Sequence, residues 1–175
     1  MKLYLRILCA AAAMVMLGSC GGEDSKADSG KSSQNSETAE SSQTEESEVT
    51  AKEVLSAIDN ELLDGDAYYG EETFDNNCPK LYGIEADKLT DGGIIFATSG
   101  GNADEISMIK PADGKGKQIL ESRLSSRSRD FETYKPEEMP KIDSAEIFSA
   151  GGYDVLIISE DASSLKKTIE EALEG

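Results

Sequence analysis

The pattern of apolar and polar residues divides the chain into three parts. An apolar run extends from Ile7 to Leu17, and the segment from Gly21 to Glu48 then contains no Val, Ile, Leu, Met or aromatic residue. Regularly spaced apolar residues resume only after Thr50. A segment that lacks these residues cannot bury enough surface to offset the entropy lost on ordering. We therefore predict a disordered, acidic, Ser- and Glu-rich tether over residues 20–49 and a single folded domain over residues 50–175.

Within the domain, three segments have the residue spacing of helices. Thr50 and Glu53 have the spacing of a capping box, ahead of apolar residues that continue to Leu62. A long helical pattern extends from Gly116 to Tyr134 and ends before Pro136, which disfavours helix at the preceding residue. The last predicted helix has one apolar face, formed by Leu165, Ile169, Ala172 and Leu173. Residues 64–79, rich in Gly, Asn and acids, predict a loop, and residues 81–89 predict a short helix.

Two further segments predict β-hairpins. The apolar run 94–97 leads into the turn 99–102, and a strand follows in which Ile106 and Met108 alternate with polar residues. The second hairpin joins strands 145–149 and 153–159 through Gly151-Gly152. The order helix, hairpin, helix, hairpin, helix predicts an α+β fold, an antiparallel sheet of two hairpins with helices packed on one face in two layers. The glycine pairs that begin at positions 92, 100 and 151 are all interpreted as turns.

The N-terminal segment has the features of a bacterial lipoprotein signal. Lys2 and Arg6 form a charged start, and the apolar run ends in Leu17-Gly18-Ser19-Cys20. This sequence resembles the lipobox, which implies that the Cys20 thiol receives diacylglycerol and, with palmitate, anchors the mature chain. We predict a signal peptide over residues 1–19, lipidation at Cys20, and attachment to the extracytoplasmic face of the cell membrane. The alternative is an ordinary secretory signal, in which Cys20 is incidental and the protein is released.

Charge and composition exclude several classes of function. The formal net charge is −18, and removal of the predicted signal makes it two charges more negative. Such a chain lacks the clustered cations that nucleic acids and anionic membrane surfaces require. There is no histidine, which excludes Ser-His-Asp and Cys-His sites and zinc bound by histidine. After processing, Cys78 is the only cysteine with a free side chain, so it cannot form an intramolecular disulfide, and we predict a passive thiol and a monomer.

Arg123 and Arg127 are the candidate binding residues. Apart from Arg6, every arginine of the chain lies in the helix predicted from Gly116. On a helical projection Arg127 falls on the apolar stripe formed by Leu120, Leu124 and Phe131, and Arg123 lies at its border. A guanidinium on an apolar face needs an acceptor, so we expect Arg127 to be at least half buried against a carboxylate or a carbonyl. One interpretation is a structural salt bridge, and the other is a site for an anion or a partner's carboxylate.

No other motif predicts a site. The acidic stretch around Asp64-Gly65-Asp66 departs from the spacing of an EF-hand, and the glycine pairs lack the pattern of a nucleotide-binding loop. We therefore predict no metal, no cofactor and no catalytic residue.

Several short motifs together resemble a known family. They are the stretch Ser99–Lys110, the helix with Arg123 and Phe131, the step Tyr134-Lys135-Pro136, and Gly152-Tyr153 before an apolar strand. In this order they are similar to a family of uncharacterised bacterial lipoproteins, a domain of unknown function common in Gram-positive anaerobes. The resemblance covers residues 81–173. It implies a lipid-anchored, single-domain protein and supplies no catalytic residues.

Two classes of function follow from the sequence. The first is a cell-envelope-anchored, non-enzymatic surface module that binds an envelope component or a protein, or acts as an accessory to one. The second is an envelope hydrolase that uses paired carboxylates, whose pairing in space a sequence does not reveal. A concave pocket with two close carboxylates would favour the enzyme, and a surface with an exposed aromatic or arginine patch would favour the binding module.

Overall fold

An antiparallel sheet of five strands organises residues 48–174, which are the residues that the computed structural model describes. The strand order across the sheet is β1-β2-β3-β5-β4. The strands are β1 (Gly65–Tyr68), β2 (Leu89–Phe96), β3 (Glu105–Pro111), β4 (Glu146–Ala150) and β5 (Tyr153–Ile158). The pairs β2–β3 and β4–β5 are the two predicted hairpins, so the predicted α+β class and antiparallel sheet are confirmed.

The helices of the described residues include the long one that the sequence predicts. They are α1 (Ala51–Ser56), α2 (Glu72–Tyr82), α3 (Gly116–Tyr134), α4 (Met139–Asp143) and α5 (Ala162–Glu174). Short 3-10 turns lie at Ala86–Lys88 and Pro136–Glu138. The capping box of Thr50 and Glu53 is present, but α1 ends six residues before Leu62, which is half exposed. Asn60 accepts a hydrogen bond from the N–H of Leu62, and this local turn replaces a further helical turn.

Helices cover both faces of the sheet, and this corrects the prediction of a two-layer fold with helices on one face. Successive residues of a strand point to opposite faces. In β5, Val155 and Ile157 pack with residues of α1 and α5, whereas Leu156 and Ile158 pack with residues of α2, α3 and α4. The apolar run of β5 is therefore buried on both sides, which is why it does not alternate with polar residues.

Residues 64–79 form ordered structure, and the predicted loop is wrong. β1 pairs with β2 at the edge of the sheet, with Gly65 opposite Phe96. α2 follows, and its buried residues Phe74, Cys78 and Tyr82 have the helical spacing i, i+4, i+8. The acidic and amide residues between them form the exposed side of an amphipathic helix. The predicted helix over residues 81–89 is reduced to the end of α2 and a 3-10 turn.

The three glycine pairs differ in their roles. Gly151 and Gly152 have φ values of 54° and 83° and form the turn between β4 and β5, as predicted. The pair at position 100 also lies in a turn, which the Asn102 N–H closes by donating to the Ser99 carbonyl at 3.0 Å. The pair at position 92 lies inside β2, where a Cβ on Gly93 would meet the side chain of Tyr68 at 2.9 Å. That pair is therefore a packing feature rather than a turn.

The predicted signal peptide, Cys20 and nearly all of the predicted tether lie outside the described residues. At its start, the described segment contacts the domain: Glu48 Oε2 lies 2.8 Å from Lys110 Nζ, and the Tyr153 hydroxyl donates to the Val49 carbonyl at 3.1 Å. Among residues 48–174, no helix combines the length and the apolar character that crossing a membrane requires.

Candidate functional site

The centre of the candidate site is a carboxylate that the sequence places on a strand and the fold buries completely. Glu105 begins β3, and its residue is 0% exposed. Arg123, in the first half of α3, donates from Nε to Oε1 at 2.9 Å and from Nη2 to Oε2 at 2.6 Å. This is the bidentate geometry in which a guanidinium binds a carboxylate most strongly. The pair joins α3 to the central strand of the sheet.

Arg127 lies one helical turn further along α3 and shares the same carboxylate. Its Nε is 3.2 Å from Glu105 Oε2, and its Nη2 donates to the Ala103 carbonyl at 3.0 Å. The side chain is 17% exposed and packs over the ring of Phe131. The expectation that Arg127 is buried against a carboxylate or a carbonyl is thus confirmed, with one of each. Two guanidiniums face one carboxylate, so the cluster carries one surplus positive charge.

The two arginines are not equally neutralised. Burial opposes the charge of Arg123, yet its hydrogen bonds with Glu105 raise the pKa of this guanidinium above its ordinary value. Burial lowers the pKa of Arg127, because the attraction of Glu105 and the smaller attractions of Asp130 and Asp104 do not fully compensate for it and Arg123 repels this guanidinium. Nε of Arg127 is buried without a hydrogen bond to any described residue, and its contact with Glu105 Oε2 at 3.2 Å is an ion pair only. Arg127 therefore carries the surplus charge.

Ser107 and Tyr82 hold the carboxylate from the other side. The Ser107 hydroxyl donates to Glu105 Oε1 at 3.0 Å, and the Tyr82 hydroxyl donates to Ser107 Oγ at 3.0 Å. Burial raises the pKa of Tyr82, and the nearby charge of Glu105 raises it further. The phenol consequently stays protonated and acts as a donor. This chain of hydrogen bonds connects α2, β3 and α3 and fixes the orientation of Glu105.

A second buried network fixes the loop that precedes β3. Lys141 of α4 lies 2.7 Å from Asp104 Oδ2 and 3.0 Å from Glu138 Oε2. Glu138 accepts a hydrogen bond from the Ala103 N–H at 3.0 Å. Asp104 is 1% exposed. Ala103, whose carbonyl accepts the hydrogen bond from Arg127, is thereby held in place by Glu138, which precedes α4.

The cluster of Glu105, Arg123 and Arg127 forms one wall of a cavity of about 400 Å³ between α2, α3 and the sheet, which we term the α2–α3 cavity. Apolar side chains of the sheet and of α2 form much of its lining, including Ala67, Ile94, Phe96 and Leu81. Thr73, Asn77 and Lys80 of α2 line it as well. Its volume lies within the range of about 300–1,000 Å³ that is typical of small-molecule sites.

Both arginines were predicted from the sequence as site residues, but Glu105 was not. In a sheet covered on one face only, the alternation of Glu105 and Ser107 with apolar residues is typical of a solvent-facing side. α3 covers that face, and both residues are buried. The one indication of a buried acid was the placement of arginines on an apolar helical stripe, because a buried guanidinium needs an acceptor such as a carboxylate. With 35 Asp and Glu residues in the chain, the sequence did not identify which one.

We also compared the surroundings of Cys78 and of the acidic side chains with those of reactive or metal-binding groups. Cys78 is buried in α2, and burial raises the pKa of its thiol to about 11, so the reactive thiolate is disfavoured at neutral pH. Within residues 48–174, no group of three or more Cys, Asp or Glu side chains could hold a metal ion. A separate polar cavity of about 420 Å³ is lined by Asp59, Asp104 and Asp161, among others, and Asp104 is the residue already bound by Lys141.

Comparison with known proteins identifies the family. A family model described as a domain of unknown function (DUF4358) matches residues 64–159, which is more than half of the 175-residue chain. The match includes β1 and most of α2, which the resemblance seen in the sequence did not cover. No curated protein and no solved structure matches the chain. The matched segment contains Glu105, Arg123 and Arg127, and the chain belongs to the DUF4358 family.

Proposed function

We propose that this protein is a lipid-anchored module of the cell envelope that binds a ligand or partner without catalysing a reaction. The lipobox ending at Cys20 supports an anchor on the extracytoplasmic face of the membrane, and the long polar segment that follows supports a domain held away from that surface. Binding takes place at the α2–α3 cavity.

One observation carries this proposal. The cavity wall has a surplus positive charge, because Arg123 and Arg127 share the single carboxylate of Glu105, in a chain whose net charge is −18. A buried cation without full compensation is costly unless something else neutralises it. A fold that retains such a cation at a cavity is suited to receive an anionic group there.

The alternative, a hydrolase with paired carboxylates, receives no comparable support at this cavity. Such an enzyme needs two carboxyl groups on either side of a substrate bond. Glu105 is the only acid among the described residues that line the α2–α3 cavity, and two arginines engage it.

Photocrosslinking in living cells tests the binding proposal. A photoreactive amino acid replaces Asn77, which lines the cavity, and in a matched control it replaces Lys167, an exposed residue of α5 on the opposite face. We expect a discrete adduct, identified by mass spectrometry, from position 77 and not from position 167. Equal or absent adducts at the two positions would contradict the proposal. Turnover of the captured compound by the purified protein would instead favour the hydrolase.

A further inference from the structure

The charge of the α2–α3 cavity indicates which kind of chemical group a ligand would carry to bind there. Arg123, Arg127 and Lys80 bring three positive charges to the lining, and Glu105 brings one negative charge. Lys80 forms no ion pair with any residue in the described range 48–174. The site therefore has an excess of cations, and a ligand that reaches this wall gains by carrying an anion.

Arg127 is the residue placed to receive that anion. Arg123 already uses Nε and Nη2 on Glu105, whereas the only hydrogen bond that Arg127 donates to a described residue goes to the Ala103 carbonyl. Its pKa is lowered by burial, which indicates a cation that its surroundings leave incompletely balanced. A guanidinium presents several donors in a planar fork, and a carboxylate is the planar acceptor that fits it.

The sheet side of the lining, together with Leu81, favours a ligand with an apolar body. Ala67 and Ile94 are buried members of the sheet that line the cavity, and Phe96 and Leu81 are partly buried beside them. These side chains offer no strong hydrogen-bonding group, so a ligand with a polar body would lose water there without replacement. A cavity of about 400 Å³ is near the small end of ligand sites.

We propose that the α2–α3 cavity binds a small organic carboxylate with an apolar body, whose carboxylate contacts Arg127 and whose apolar part lies against Phe96 and Leu81. This inference rests on the proposed function and specifies its ligand class. Glu105 then has the role of a built-in counter-charge, which holds Arg123 in place and leaves Arg127 for the ligand.

Calorimetric titration of the full chain in detergent tests the ligand class. The probes are benzoate and cyclohexanecarboxylate, the neutral benzamide and cyclohexanecarboxamide of the same shapes, and acetate and inorganic phosphate, which lack an apolar body. We expect at least one of the two larger carboxylates, benzoate or cyclohexanecarboxylate, to bind. The amide of the same shape should bind at least tenfold more weakly than that carboxylate. Acetate and phosphate should also bind at least tenfold more weakly than that carboxylate.

Two variants locate the binding. Arg127→Gln should weaken binding of the carboxylate at least tenfold, whereas Arg129→Gln, on the exposed side of the same helix, should leave it unchanged. Thr73→Trp, at an exposed position that lines the cavity, should obstruct the site and abolish binding without altering the arginines. This second variant keeps the test decisive if Arg127→Gln does not fold.

Three results of the titrations with the unmodified protein would overturn the inference. They are equal affinities for a carboxylate and its amide, tighter binding of phosphate than of either larger carboxylate, and no binding of the larger carboxylates at all. Carboxylate binding that survives Thr73→Trp would place the site elsewhere and would also overturn it. The photocrosslinking at Asn77 is independent of these probes, so an adduct there without carboxylate binding would leave the binding module in place and remove only its ligand class.

Discussion

Arg123 donates two hydrogen bonds to Glu105, at 2.9 and 2.6 Å, across the interface between a helix and the middle strand of the sheet. The Glu105 side chain is completely buried, and the Arg123 side chain is 14% exposed. Charge pairs of this kind are costly to desolvate, and their geometry must be good to repay that cost. The pair therefore fixes how α3 sits on β3, and the position of Arg127 at the cavity depends on it.

Replacing Glu105 with Gln should destabilise the domain strongly. The substitution keeps the shape but leaves two partly buried guanidiniums without a negative charge, and removal of one partner of a buried pair costs about 3–5 kcal/mol. Urea unfolding followed by circular dichroism measures the change. Glu71→Gln, which breaks the exposed pair with Lys52, is the matched control and should leave the unfolding free energy almost unchanged. Equal effects of the two substitutions would contradict a structural role for the buried cluster.

The two arginines should differ in what they contribute to stability. In Arg127→Met the neutral pair of Arg123 and Glu105 remains, and the loss is chiefly the hydrogen bond to the Ala103 carbonyl, about 1 kcal/mol. In Arg123→Met the carboxylate loses both of its strong donors, and we expect a loss larger by at least about 2 kcal/mol. The same urea experiment compares the variants. Similar losses would show that Arg127 is as important to the fold as Arg123, and its assignment to the ligand would lose its basis.

The elements that the sequence predicted well are those whose signal is local. The full length of α3 follows from the spacing of Leu120 and Phe131 and from Pro136 beyond its end. The turn at Gly151-Gly152 follows from the backbone conformations that only glycine adopts easily. Each of these features is set by residues within a few positions of one another.

The features that were missed depend on residues distant in the chain. Whether a strand is covered on one face or two is decided by where the connecting helices pack, and this decides whether Glu105 faces water or α3. Its partner Arg123 is 18 residues away, and nothing local distinguishes Glu105 from other acids. The helical spacing of Phe74, Cys78 and Tyr82 was visible in the sequence, but the surrounding acids and amides obscured it.

Acid should weaken the link between α4 and the loop before β3. Burial opposes the charge of Glu138, but the Ala103 N–H and Lys141 stabilise it, and the net effect lowers the pKa of this carboxyl. A carboxyl with a lowered pKa contributes stability above its ordinary value of 4.5, and this contribution is lost as the pH falls through the folded-state pKa. Unfolding free energies between about pH 5 and 3 should therefore decline less steeply in Glu138→Gln than in the wild type. Glu132→Gln, at an exposed position of α3, should follow the wild-type profile, and parallel profiles for all three proteins would exclude this role of Glu138.

Substitution of Cys20 tests the predicted anchor. Because the chain is acidic throughout, acyl chains are the only expected source of membrane affinity, and two lipid chains suffice for stable attachment. Cells supplied with a clickable fatty acid should label the wild-type protein, and Cys20→Ala should remove the label and release the protein from the membrane fraction. Cys78→Ala is the control, since its thiol is buried in α2 and should not affect labelling. Label retained in Cys20→Ala would show that the lipobox interpretation is wrong.

A methyl group at Gly116 should disturb the contact between α3 and the sheet. Gly116 begins α3, and a Cβ added there would lie 2.8 Å from the Cβ of Asp154 on β5 and closer still to its carboxylate. The Cβ of Asp154 cannot move away without the backbone of an interior strand, so the helix itself must shift. Overpacking of this kind costs about 1–3 kcal/mol, which thermal unfolding would register as a lowered midpoint. Gly100→Ala is the control, because a Cβ there meets open space and its backbone needs no positive φ. Asp154→Gly removes the obstructing Cβ, so Gly116→Ala should lower the midpoint less in the Asp154→Gly background than in the wild type, and equal decreases in the two backgrounds would show that Asp154 is not the cause.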